Sequence, residues 1–157
     1  MEIERKFLVK NNKWKRNASE GFEIKQAYFA NLKGKSVRIR TVGEKGFLTI
    51  KGPRVGISRD EFEYEIPLAD ANQLIKNYCD SNLISKKRYK VNFEGNTWEI
   101  DEFSGDNQGL ILAEIELESP DEKITLPDWL GKEVSTDNRY YNSKLAKHPV
   151  NSWNSEP

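Results

Sequence analysis

Glu2, Glu4 and Lys6, spaced two apart at the start of the chain, have the residue types and the spacing that chemistry needs. Read at the period of a β-strand, they share one face with Leu8, while Ile3, Arg5, Phe7 and Val9 share the other. Side chains two apart on a strand stand about 6.5–7 Å from each other. Two carboxylates and an ammonium in such a row suit a bivalent cation held beside an anion. A solvated edge strand would carry the same residues, because charged side chains are mostly exposed. The pattern recurs, with acids paired at Glu61/Glu63, Glu99/Asp101 and Glu114/Glu116 and bases paired at Arg38/Arg40 and Lys86/Arg88. A solvated face gains little from sorting by sign, since a surface ion pair is worth only about 0–1 kcal/mol. In an enclosed lumen, clustered carboxylates need a cation and clustered bases need a polyanion. Cross-strand ion pairing explains the sorting equally well, so the pattern leaves both readings open.

Alternating segments must position these residues. After residues 2–9, a polar loop follows with Trp14 folded back onto the body, and strands are expected over 22–31, 35–42, 47–51 and 58–67. Ala71, Leu74, Ile75, Tyr78 and Cys79 form one helical stripe, with Asp70 and Gln73 spaced as a capping box. Strands resume over 84–93, 97–103 and 110–118, the first two joined by a turn at Glu94-Gly95-Asn96. Trp129-Leu130-Gly131 reads as a short turn and 137–147 as a terminal helix. About eight strands joined by short turns, with one or two helices, predict a mostly β, α+β chain: an antiparallel barrel or strongly curved sheet with helices outside. Nearly every strand has one charged and one apolar face, so the interior is either apolar or a charged lumen.

Composition narrows the function classes. Lys plus Arg equals Asp plus Glu at 25 each, so net charge offers no argument for nucleic acid or an anionic membrane. No apolar run is long enough for a signal peptide or membrane span, and the lone Cys79 cannot form an internal disulfide, so a cytoplasmic soluble protein is expected. With His148 the only histidine, a His-based metal site or a Ser-His triad is poorly supported. One domain over residues 1–150 and a loose tail over 151–157 are expected.

The ordered motifs resemble the CYTH, or triphosphate tunnel metalloenzyme, superfamily. Glu2-Ile3-Glu4-Arg5-Lys6-Phe7 matches its N-terminal ExExK signature, followed by Arg38-Ile39-Arg40, Thr49-Ile50-Lys51, Arg59-Asp60-Glu61-Phe62-Glu63, Lys86-Lys87-Arg88-Tyr89, Glu99-Ile100-Asp101 and Glu114-Ile115-Glu116. Asp137 to Asn142 looks like the family's closing segment. The resemblance implies an eight-stranded antiparallel tunnel, a charged lumen and a triphosphate inside with Mg²⁺ or Mn²⁺. It implies that Glu2, Glu4, Asp101, Glu114 and Glu116 hold metal, and that Lys6, Arg38, Arg40, Lys51, Lys86 and Arg88 cradle phosphates. On the same basis Arg59 touches phosphate, while Glu61 and Glu63 position bases or a second metal. Tyr28, a phenol on an inward-reading face, is expected either to pack as an aromatic or, with Lys6, to orient or deprotonate the water, the lysine being lowered by neighbouring cations. Glu63 is a further candidate to position that water.

The leading expectation is a metal-dependent triphosphatase acting on inorganic tripolyphosphate, a small-molecule substrate. Class IV adenylate cyclase and thiamine or nucleoside triphosphatase are rivals within the fold. The cyclase relatives carry a His-Phe pair in the first half, where this chain has no histidine. A non-catalytic polyphosphate-binding module is the reading from another class, opposed by the acids, which a pure anion binder does not need. Dimers occur in similar proteins, and a homodimer is compatible with the chain.

Overall fold

The computed structural model describes residues 1–29 and 33–153. The chain forms β1 (Glu2–Val9), β2 (Phe22–Tyr28), β3 (Ser36–Val42), β4 (Lys45–Lys51), β5 (Ser58–Arg59) and β6 (Glu61–Ile66). Helix α1 (Leu68–Tyr78) follows, then β7 (Ile84–Phe93), β8 (Asn96–Phe103), β9 (Ile111–Glu116), β10 (Leu130–Glu133) and α2 (Asn142–Lys147). All pairings are antiparallel, and the hydrogen-bonded order is β10-β1-β9-β8-β7-β2-β3-β4-β6. The mostly β, α+β class expected from the alternation is therefore present.

The eight-stranded count is corrected in two places. The stretch read as one strand over 58–67 breaks at Asp60: β6 pairs with β4, whereas β5 pairs with β1 through Glu2↔Arg59 and Ile3↔Ser58. The sheet is not closed; its seam is spanned by that two-residue pairing and by the Glu4 N–H, which donates to the Ile57 carbonyl at 3.3 Å. Leu130, read as part of a turn, instead starts β10, whose partners Phe7 and Val9 lie far away in sequence. The expected capping box does not form either. Pro67 is the N-cap of α1 without a side-chain cap bond, and Asp70 lies inside the first turn. The terminal helix is broken at Tyr141, between a 3₁₀ turn at Asn138–Tyr140 and α2. Ala30 and Asn31 of the expected second strand, and residues 154–157 of the expected tail, lie outside the described residues.

Strand pleating sorts the faces. The outer face of β1, β7, β8 and β9 buries Phe7, Val91, Trp98, Ile100, Ala113 and Ile115, covered by Trp14 from a 3₁₀ turn (Lys13–Asn17) and by Trp129. Trp98 meets Phe7 and Trp129 edge-on, each at 5.7 Å between centroids, a geometry worth about 0.5–1.5 kcal/mol beyond area burial. With that apolar face covered outside, the opposite charged face turns inward. One pleat beyond the charges the inner face becomes apolar at Leu8, Tyr28, Ile84, Phe103 and Leu112, and Leu145 and Ala146 of α2 pack there with Val134. This end of the lumen is stoppered. Val150 and Trp153 back the stopper, Trp153 meeting Tyr140 at 5.1 Å, so residues 150–153 are docked.

Candidate active site

The ladder register brings the inward charges into contact across strands. Glu4 lies opposite Glu116, Lys6 opposite Glu114, and Glu99 opposite Glu114. Arg88 faces Asp101, Tyr28 faces Arg38, and Lys51 faces Glu61. Acids therefore gather on β1, β8 and β9, and bases on β3 and β7. They enclose a cavity of about 180 Å³. Of the residues expected at the site, Glu2, Glu4, Lys6, Tyr28, Arg38, Arg40, Lys51, Arg59, Glu61, Glu63, Lys86, Arg88 and Glu114 line it. Asp101 and Glu116 are not among the lining residues.

Asp101 lies beneath the basic wall. Its carboxylate accepts from Arg88 Nε and Nη2 at 2.7 and 2.9 Å and lies 2.8 Å from Lys86 Nζ. Burial opposes its ionisation, but Arg88 and Lys86 outweigh burial and hold it well below the usual carboxylate range. Both oxygens are occupied, which suits Asp101 to aiming Arg88 and Lys86 at the lumen. Glu116 is exposed, and burial together with Glu2, Glu61 and Glu99 raises its carboxyl above the ordinary value. Glu2, by contrast, is engaged at 3.0 Å by Lys51, which also lies 3.4 Å from Glu61.

Glu4 is a buried acid with little compensation. Its ion contact is Arg54 Nη2 at 3.5 Å, and burial beside Glu114 and Glu2 pushes its carboxyl up to about 7. Glu114 goes the other way: burial opposes ionisation, but Lys6, with Arg88 and Lys86 behind it, brings the carboxyl down to about 2. The ion pair between Lys6 and Glu114 spans 3.2 Å, and Lys6 Nζ also donates to the Tyr140 carbonyl at 3.2 Å. Burial works against the Lys6 ammonium, yet Glu114 and Glu4 keep it above its ordinary value. This overturns the expectation of a lowered Lys6. The lysine that is lowered is Lys86, which burial, with Arg88 and Arg40 alongside and Asp101 opposing, brings down to about 7.

The basic side carries surplus charge. Burial, with Arg38 and Arg88 nearby, pulls the Arg40 guanidinium down to about 9. Arg38 donates to Thr49 at 3.2 Å and lies 3.5 Å from Glu63, but its buried Nε has no hydrogen-bond partner among the described residues. Glu63 accepts from Thr49 at 2.9 Å and has a side chain 43% exposed. Arg59 donates to the carbonyls of Gly52 and Gly34 at 3.0 and 3.2 Å, so part of its fork already secures two loops. Burial, with Arg54 close, lowers its guanidinium.

Several site residues escape a reading by strand periodicity. Gln26, fully buried, accepts from Arg40 Nε at 2.8 Å and donates to Tyr28 Oη and Asn142 Oδ1 at 3.0 Å each. Asn142 also accepts from Lys86 Nζ at 2.8 Å. A lone amide among Ile24 and Tyr28 on one strand face was the available signal for Gln26. Tyr141, Asn142 and Ser143 enter from the closing segment and Arg54 from the turn after β4, where no alternation marks an inward side. Glu99 also lines the cavity, and lies 3.3 Å from Arg88. Among the described residues no three acidic, histidine or cysteine side chains converge into a ready metal cage.

A CYTH-domain family profile matches residues 1–148. An inorganic triphosphatase from Acetivibrio thermocellus is 47% identical over 152 residues, covering 97% of each chain. An inorganic triphosphatase from Nitrosomonas europaea is 32% identical over 149 residues, covering 92% of this chain and 96% of that protein. A crystal structure of an inorganic triphosphatase superposes with a TM-score of 0.63 at 29% identity, covering 92% of this chain and 96% of its own. With the strand order, the charged lumen and these matches in agreement, the chain belongs to the CYTH domain family.

Proposed function

We propose that this protein hydrolyses inorganic tripolyphosphate, assisted by Mg²⁺ or Mn²⁺, inside the charged lumen. The observation that carries the reading is the placement of unneutralised guanidinium groups opposite crowded carboxylates in one small cavity. At about 180 Å³ the cavity falls below the ~300–1,000 Å³ usual for drug-sized ligands. Its charged lining suits a compact polyanion better than a nucleoside or thiamine group. The similar proteins from Acetivibrio thermocellus and Nitrosomonas europaea are inorganic triphosphatases, which supports the same substrate.

Membership of this family of tunnel metalloenzymes implies dependence on a divalent metal. The donor set fits a hard cation, because Glu4 is crowded by Glu114 and Glu2 while its ion contact, Arg54 Nη2, stands 3.5 Å away. The absence of a three-acid cage is compatible with Mg²⁺, which is commonly held by one or two carboxylates together with substrate phosphate oxygens. Glu4, together with one of its neighbours Glu2 or Glu114, would hold it alongside substrate oxygens. When bound, the ion neutralises charge on the phosphoryl group and orients it.

Arg38, Arg40, Lys86 and Arg88 bind the phosphates from the basic wall, with Lys51 and Lys6 contributing from the acidic side. Asp101 orients Arg88 and Lys86, and Glu116 stays near the rim. Preorganised cations in a partly desolvated site stabilise developing charge without reorganising. Tyr28 and Glu63 are the groups available to orient the attacking water. Lys86, at about 7, is better placed to exchange a proton than the fully charged Lys6.

The test measures phosphate release from tripolyphosphate, ATP and thiamine triphosphate, each with Mg²⁺ and Mn²⁺, alongside cyclic-AMP formation. Fastest turnover on tripolyphosphate is expected. Binding of all three without turnover would remove the enzyme reading, and cyclic-AMP formation would move it to the cyclase class.

A further inference from the structure

Gly52 to Arg59 forms a small hairpin at the seam, running from the end of β4 into the β5 residues that pair with β1. Gly52 N–H donates to the Asp60 carbonyl at 3.0 Å, and Val55 and Ser58 exchange backbone bonds at 2.8 and 3.0 Å. The tip is exposed at Val55, but Arg54 turns inward, its side chain only 14% exposed. Its guanidinium stacks on the Tyr141 ring at 4.3 Å, and its buried Nε has no hydrogen-bond partner among the described residues. The nearest carboxylate, Glu4, stands 3.5 Å from Nη2, at the limit of hydrogen-bonding distance. Lys6 shares the same ring, its Nζ 5.7 Å from the centroid, and Arg54 disfavours the charge on both Lys6 and Arg59. A buried, half-used guanidinium held by an aromatic ring beside other cations is costly without an anion to receive it.

We infer that Arg54 is a substrate-gripping residue: the seam hairpin presents its fork to a phosphoryl group of the polyphosphate, and Tyr141 is the positioning residue that holds the fork flat. With Cζ seated over the ring, the fork's free N–H groups are available for bidentate contact with phosphate oxygens, which a lysine cannot reproduce. Arg54 thereby completes the phosphate cradle on the side where the sheet is not closed, and links it to the C-terminal stopper. This deepens the triphosphatase reading and rests on it for the identity of the ligand.

The test compares wild type with Arg54→Ala, Arg54→Lys, Tyr141→Ala and Val55→Ala. Steady-state hydrolysis of tripolyphosphate is measured, together with calorimetric binding of tripolyphosphate without added metal. A charge-assisted contact contributes about 1.5–3 kcal/mol, so Arg54→Ala should raise KM and Kd about 10- to 100-fold while kcat changes far less. Arg54→Lys should recover only part of the loss, and Tyr141→Ala should shift KM in the same direction by less. Wild-type KM for Arg54→Ala, or an equal loss in Val55→Ala, would overturn the inference while leaving the triphosphatase reading intact. If wild type binds tripolyphosphate without hydrolysing it, the triphosphatase reading fails, and the Kd series still decides the role of Arg54.

Discussion

At Glu4, burial beside Glu114 and Glu2 keeps the carboxyl protonated up to about pH 7, against an ordinary value of 4.5. Because the folded state holds this proton more tightly than the unfolded chain, its contribution to stability is full below 4.5. That contribution is lost as pH rises through about 7. Glu4→Gln should therefore stabilise the metal-free protein at pH 8 by roughly 1–3 kcal/mol, with little effect at pH 4, as read by thermal melts at the two pH values. The same substitution should abolish metal-dependent turnover, separating a functional charge from a structural one. Asp101 predicts the opposite. With Arg88 and Lys86 both paired to it, Asp101→Asn leaves two buried cations undercompensated and should cost about 3–5 kcal/mol in urea unfolding. Equal stability with lost activity would instead point to direct contact with substrate or metal.

At the scale of elements, the long strands were legible because alternation is local. Glu2–Val9 and Ile84–Phe93 each declare two faces within a single stretch, and the two-residue turn at Glu94-Gly95, with φ of 49° and 79°, announces itself by its glycine. Leu130–Glu133 was not legible: four residues recruited by distant Phe7 and Val9 leave no periodic trace. The break at Asp60 was hidden as well, because the chain changes partner there without changing its alternation. Charge sorting marked which residues share a site, but not that Asp101 would be consumed by its neighbours, since that depends on a register between two strands. Arg54 and Tyr141 sit on irregular backbone, where inward and outward have no sequence period. One glycine outside the site tests the packing: a Cβ at Gly46 would stand 2.7 Å from the Ala71 Cβ of α1 and 3.1 Å from the Ile66 carbonyl. Gly46→Ala should thus push α1 off β4 and cost about 1–3 kcal/mol, measured by chemical denaturation.

For the whole molecule, the balance of 25 basic and 25 acidic residues conceals a separation of charge, with a basic wall facing an acidic one across the lumen. Net charge therefore gives no account of what the protein attracts, and the interior field does. The stopper built from Leu8, Tyr28, Phe103, Leu112 and Leu145 adds a constraint on traffic. Among the described residues that end is filled by apolar side chains, so entry and exit are expected on the charged side. On the proposed reading, tripolyphosphate and the pyrophosphate made from it share that side. On the proposed reading, pyrophosphate held by the same basic wall should inhibit in initial-rate assays, and competitively if it is the last product to leave; no inhibition would show that the wall does not hold the shorter anion. A brake on turnover is thus expected from the product of the proposed reaction, drawn to the same cations as its precursor.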